Sequence, residues 1–244
     1  MGVIRIPEIR WKGKEGKGGA YWKLDGLEIG VGREMLGPRT IIFNPGGSAH
    51  TCPAADLGLC QMREVDECYA YQDEIYRTGA LAFRERQRAW FESHTGEQLG
   101  ETLIDMLSRG QRFDQIQKLR ISESGDLRSQ SDLEKIALAA RIVKAWYRSK
   151  GRTLIAYGYS ARSDLDFTGI EKSIVFKGSG HDKCCGRCDV IEPYQVTPPG
   201  YHLCNKKCAT CSLCAVPWIN IAFHFHGNAV VMKRHQKRVA ALAA

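Results

Sequence analysis

Apolar residues fall along this chain in two rhythms. "RTIIFNPGG", residues 39 to 47, is a short β-branched and aromatic run stopped by Pro and Gly, the pattern of a buried strand. "QKLRISESGD", "TLIAYGYS" and "SIVFKGSG" repeat it, each running out into a polar Gly/Ser loop, and "GYHLC" and "WINIAFHFHG" offer two more strands. Between the early strands the spacing becomes helical. From Glu67 to Ser93, Tyr71, Ile75, Ala82 and Trp90 recur among Arg and Glu, with only Gly79 interrupting. A second helix is predicted around Gln98–Ser108, ended by Gly110. In "SDLEKIALAARIVKAWYRSKG", Leu133, Ile136, Ala137, Ala140 and Val143 share one face. Ser131 and Glu134 have capping-box spacing there, and Gly151 stops the helix.

Strand, loop and helix in alternation predict a parallel sheet with crossover helices, whose chemistry collects where loops leave the carboxyl ends of the strands. "GGSAHTC", "SESGD", "YSARSD" and "KGSGHDKCC" are those loops. About six parallel strands are too few for a complete eight-stranded barrel. The expected fold class is therefore α/β, a partial (β/α) barrel with a cysteine-rich C-terminal metal-binding segment. Three segments follow. Residues 1–39 form an N-terminal β/loop extension, 40–183 the partial barrel core with its cysteine loop, and 184–244 a cysteine-rich segment with the last strand and a basic tail.

Composition narrows the class. Apolar content of 43% and charged content of 25% are those of a soluble globular protein. The longest apolar run, "AVPWINIAF", is about half of what spans a bilayer, and "MGVIRIPEIR" has no signal core, so a cytoplasmic protein with no membrane contact is expected. The net charge of +8 favours anionic partners. Its densest cluster, "MKRHQKR" at 232–238, is either a solubilising tail or a nucleic-acid contact.

The ten cysteines change the picture most. In a reducing compartment, clustered thiols point to metal ligation or catalysis. They form two sets, with 115 residues between Cys68 and Cys184. In the first set seven residues separate Cys52 from Cys60 and Cys60 from Cys68. Three thiolates would leave one iron of a four-iron cluster open to a ligand, and soft sulfur donors suit iron. A zinc site completed by His50, or plain buried thiols, are the alternatives. In the second set, "CNKKCATCSLC" places Cys204, Cys208, Cys211 and Cys214 at gaps that let successive sulfurs face one centre. Four thiolates saturate a cluster, which would then be structural or electron-conducting. The rival is zinc held by Cys185 and Cys188 with two of the later four. Otherwise Cys184, Cys185 and Cys188 are alternate ligands or redox-active thiols. His224 and His226 share a strand face, as acid–base groups, ligands or half-buried strand residues.

Several short motifs carry a resemblance. A cysteine loop ending in Cys68-Tyr69-Ala70, "RISESGDLRS" on the following strand and "IAYGYSARS" on a later one resemble the phage-associated gene product eighty-eight group, over roughly residues 40 to 215. A three-cysteine loop after the first strand of a partial barrel also resembles the radical S-adenosylmethionine superfamily. The resemblance implies two 4Fe-4S clusters, the second replaceable by zinc, and S-adenosylmethionine at the open iron. Ser122, Glu123, Ser124 and Asp126 would hold its methionine end where that superfamily has a Gly-Gly-Glu stretch, and a ferredoxin or flavodoxin would be the reductant. Two departures stand out: the superfamily's cysteine spacing is tighter, and the Gly-Gly-Glu stretch is absent here. Gly125 as a turn and Asp126 as a cap are the alternative for "SGD". The expectation is a radical S-adenosylmethionine-like redox enzyme. The alternatives are a nucleic-acid-binding protein with structural metal sites and an electron-transfer or redox-sensing protein.

Overall fold

The Asp25–Gly26 pair sets the first turn, because both residues take left-handed φ angles of 47° and 85°. This is the backbone of a two-residue hairpin. In the computed structural model, which describes residues 10–11, 20–31, 40–61, 67–77, 79–109, 115–205, 207–208, 210–225 and 229–242, the turn joins two strands of one sheet. Arg10–Trp11 (β1), Ala20–Leu24 (β2) and Leu27–Val31 (β3) run antiparallel and meet Thr40–Phe43 (β4). From β4 onward the neighbours are parallel: Lys118–Ile121 (β5), Ile155–Ser160 (β6), Val175–Ser179 (β7) and Arg187–Ile191 (β8). Tyr201–Leu203 (β9) forms the far edge, and Asn220–His224 (β10) inserts between β8 and β9.

The expected mixed α/β class with a mostly parallel sheet is therefore present. Each strand from β4 to β8 is added beside its predecessor, and among the described residues no pairing of β1 with β9 closes the sheet. The strand β8 was not anticipated from the pattern. The strand–helix alternation also stops earlier than expected: after β6 the strands are joined by loops and single 3-10 turns.

The helices are Pro53–Asp56 (α1), Tyr69–Tyr76 (α2), Ala80–Ser93 (α3), Gly96–Arg109 (α4), Gln130–Ser149 (α5) and Ala229–Leu242 (α6). The continuous helix expected over 67–93 is two helices. Arg77 is extended and Gly79 has φ of 91°, so the chain turns between them. The Gly110 cap lies outside the described residues. The start of α5 is also corrected. Its N-cap is Ser129, extended in backbone, whose Oγ accepts from Asp132 N at 3.2 Å, while Ser131 lies exposed inside the first turn. The acceptor must sit outside the helical backbone to reach the orphan N–H groups, and Ser131 is already helical.

Period-two alternation divides the sheet into two faces. Ile41, Phe43, Leu119, Ile121, Ala156 and Phe176 join Leu99, Leu103, Met106 and the buried stripe of α5 in the main core. The opposite, inner face carries Lys118, Arg120, Tyr157, Tyr159 and Lys177, and the cysteine-rich segment packs upon it. Gly158 sits where a Cβ would lie 2.8 Å from the Phe176 ring and 2.9 Å from Ile121 O, so no side chain fits between β5 and β7 there.

The cap assignment is testable by urea unfolding. Ser129→Ala is expected to cost about 1 kcal/mol, whereas Ser131→Ala should stay within about 0.5 kcal/mol of wild type. The reverse order would restore Ser131 as the cap.

Candidate functional site

The loops after β4 and β5 touch backbone to backbone at the carboxyl edge of the sheet. A Cβ on Gly46 would lie 2.2 Å from Asp126 O, and Gly125, at φ of 63°, has Gly47 O at 2.9 Å from its would-be Cβ. Glycine is thus required on both sides of the contact. Asn44 spans it, donating from Nδ2 to Gln87 Oε1 at 2.9 Å and accepting from Ser124 N at 2.9 Å.

Two buried carboxylates organise this edge. Glu74 of α2 accepts from Arg84 Nη1 (2.8 Å), Ser124 Oγ (2.9 Å) and Ala49 N (2.9 Å), with His50 Nε2 at 3.7 Å. Asp126 accepts from Ser160 Oγ and Leu127 N, both at 2.8 Å, and from Ala161 N at 2.7 Å. Burial pushes the Asp126 carboxyl up to about 6 despite these donors and the nearby Arg162 guanidinium. So Asp126 and Ser124, expected to face a ligand, tie the strand ends together. Of the four expected binding residues, Ser122 keeps a buried Oγ with no hydrogen-bond partner, and the Glu123 carboxylate lies within electrostatic reach of Arg120.

The three-cysteine loop is shorter in space than in sequence. Cys52 starts α1, with Pro53 in its first turn, and its carbonyl accepts from Ala55 N and Asp56 N. The chain then folds back so that Cys60 N donates to Ala54 O at 3.1 Å. Burial, the Asp126 charge and Cys60 push the Cys52 thiol up to about 12. Cys68 begins α2, which Glu74 binds to residues 49–50, just ahead of Cys52. Residues 62–66 of this loop lie outside the described residues.

The second set is gathered on the inner face. Cys204, Cys208, Cys211 and Cys214 line one pocket with Lys118 and Tyr157. Burial, then the Cys204 thiol, raises Cys208; burial raises Cys214 against a hydrogen bond from Tyr159, with Cys204, Cys208 and Cys211 adding to the rise. Cys188 on β8 belongs to the same neighbourhood, raised by burial and then by Cys214. Lys118 Nζ donates to the carbonyls of Cys208 and Cys211, each at 2.7 Å. Lys177 Nζ donates to Cys185 O at 3.2 Å and Val216 O at 2.6 Å.

Among the described residues, no group of three or more His, Cys, Asp or Glu side chains is drawn together as a metal-ion site. The donor chemistry of the second set nonetheless fits a thiolate-held metal group: four cysteines around one pocket, with Lys118 in its wall and Lys177 and Arg120 on the same sheet face. In the first set, Cys60 lies close enough to Cys52 to add to the rise of its thiol, and among the described residues Cys68 is not brought into that pair. His224 Nδ1 is engaged with Glu192 O at 3.0 Å, and His226 lies outside the described residues. The basic segment is part of α6 rather than a loose tail. Its His235 is buried between Glu67 Oε1 and Glu192 Oε1, each at 2.7 Å, and stacks on Phe225.

Glu74, Lys118, Arg120 and Lys177 did not stand out in the sequence, where each reads as a solvent-facing charge. No signal short of the fold would have identified them.

Asp126 generates a pH prediction. Its folded value, about 6, lies above its ordinary 3.8, so the native state holds the extra proton in that window. Its contribution to stability is then greatest below the lower value and is lost as pH rises through about 6. Carboxyl carbon NMR should find one aspartate titrating near pH 6 that vanishes in Asp126→Asn. All aspartates titrating near 4 would contradict the burial argument. The chain matches no family model, no curated protein and no solved structure.

Proposed function

We propose that this chain is a cytoplasmic iron–sulfur protein, a radical S-adenosylmethionine-like redox enzyme built on a partial barrel. Cys52, Cys60 and Cys68 would hold a 4Fe-4S cluster with one open iron, and Cys204, Cys208, Cys211 and Cys214 a second. The observation that carries this is the inner-face pocket, where four cysteines line one cavity beside Lys118. A thiolate-held cluster is anionic, and cations on the covered face of a sheet are compensated by such a charge. When bound, clusters of this type supply one-electron reduction and, at an open iron, a coordination position for a ligand.

The chain's own residues prepare the site. Lys118 fixes the main chain at Cys208 and Cys211, and Tyr159 holds the Cys214 sulfur. Burial keeps Cys208 and Cys214 protonated until metal arrives, so loading must release protons and weaken in acid. At the first set, the carboxyl-edge loop leaves Ser122 and Glu123 for the S-adenosylmethionine headgroup, while Ser124 and Asp126 brace the loop. Electrons would come from a ferredoxin or flavodoxin. The proximity of Cys188 to Cys204 and Cys214 favours one second reading, a zinc ion on those cysteines.

Anaerobic purification decides between them. About eight irons per chain are expected, falling to about four in Cys211→Ala and to about four in Cys60→Ala. A colourless protein carrying zinc and no iron would overturn the proposal. With S-adenosylmethionine and dithionite, the wild type should release 5′-deoxyadenosine and Cys60→Ala should not. A full iron load without that product would remove the radical assignment.

A further inference from the structure

Three cations project from the inner face, and they are not used alike. Lys118 and Lys177 each direct their ammonium groups at two main-chain carbonyls. Arg120, beside them, has its Nη2 on the Tyr69 phenol at 3.3 Å and its buried Nε without a hydrogen-bond partner. The Glu123 carboxylate lies within electrostatic reach of it, while the hydrogen bond its guanidinium makes here is to the Tyr69 phenol. Nε and Nη2 form the side-on fork that donates to both oxygens of a carboxylate, and here a neutral phenol covers half of it. Tyr69 is 57% exposed and donates onward to Glu123 O, so it sits at the mouth of the site. Two residues along the chain, Ser122 Oγ is also buried without a partner, at a left-handed φ of 57°. Buried polar groups left unpaired are rare and call for an occupant.

We propose that Arg120, gated by Tyr69, binds the carboxylate of a small-molecule ligand between the two cysteine sets. The position follows from its neighbours. Tyr69 directly follows Cys68, and the guanidinium lies over the ring of Tyr159, 5.8 Å from its centroid, whose hydroxyl holds Cys214. A carboxylate fits better than a phosphate. The two lysines are committed elsewhere, and the single guanidinium is already partly offset by Glu123, whose repulsion grows with the charge of the ligand and so disfavours a dianion more than a monoanion. The proposal goes beyond the cluster reading and does not require iron.

The test is thermal unfolding in sodium acetate against sodium chloride and sodium phosphate at equal ionic strength. Acetate is expected to raise the wild-type midpoint saturably, beyond chloride and beyond phosphate. Arg120→Gln should weaken acetate binding by about tenfold or more, and Arg120→Lys, which keeps the charge but not the fork, should recover only part of it. Tyr69→Phe should bind acetate as tightly as wild type or more tightly, because the competing hydroxyl is gone. No acetate effect in the wild type, an equal effect in Arg120→Gln, or a larger effect of phosphate would each overturn the proposal. Iron is measured on the same preparations. Loss of iron in Arg120→Gln with no acetate effect in the wild type would make Arg120 a countercharge for the second cluster and reject a ligand site. Acetate binding intact in an iron-free wild type would remove the cluster reading alone.

Discussion

Two ammonium groups under the cysteine-rich segment hold the inner half of this protein together. Lys118 is 7% exposed and Lys177 fully buried, positions that lysine almost never occupies without partners. Each supplies donors to two carbonyls of irregular backbone, at Cys208 and Cys211 in one case and at Cys185 and Val216 in the other. The dependence runs both ways. Among the described residues from Cys184 to Val216 the segment has only two short strands and one 3-10 turn, so its buried carbonyls need donors from outside, and a buried ammonium needs acceptors. Removing either lysine strands both partners. The conformation of the segment is therefore dictated by the sheet beneath it more than by its own hydrogen bonds.

At the carboxyl edge the signs are reversed. Glu74 and Asp126 are buried anions, surrounded by N–H and O–H donors from four separate pieces of chain. Glu74 is balanced directly by Arg84. Asp126 relies chiefly on neutral donors, and accordingly its carboxyl is raised, burial outweighing those donors. The consequence is rigidity where the loops meet. Close approach of Gly46 to Asp126, and of Gly125 to Gly47, leaves little freedom in the edge from which Cys52 and Ser122 emerge. That stiffness fixes the backbone from which both side chains project.

Much of the frame was legible in the sequence. "TIIF", "IAYGYS" and "VFK" are β-branched and aromatic enough to declare themselves, and the α5 stripe from Leu133 to Val143 is buried as its period required. Other features depend on tertiary context. "KLRI" alternates like a strand with one wet face, yet the face bearing Lys118 and Arg120 is covered when the chain returns some 90 residues later. The strand β8, "RCDVI", carries little apolar signal of its own; β10 pairs along it from Cys188 to Ile191. The wide cysteine spacing was opaque for a local reason. One turn of helix at Pro53–Asp56 folds the loop back, so distance along the chain does not measure distance between thiols there.

The two cysteine sets, read as separate features of the sequence, are physically joined through two adjacent strands. Tyr69, next to Cys68, accepts from Arg120 on β5; Arg120 lies over Tyr159 on β6; and Tyr159 donates to Cys214. Every link is a side chain on the inner face, and the two strands are held in register by the Arg120–Tyr157 pairing. A guanidinium over an aromatic ring at such a junction is fixed in charge, whereas a thiol changes charge when it ionises. Arg120, at the centre of this path, contributes a charge that does not titrate, so the inner face of β5 and β6 places a constant cation between Tyr69 and Tyr159.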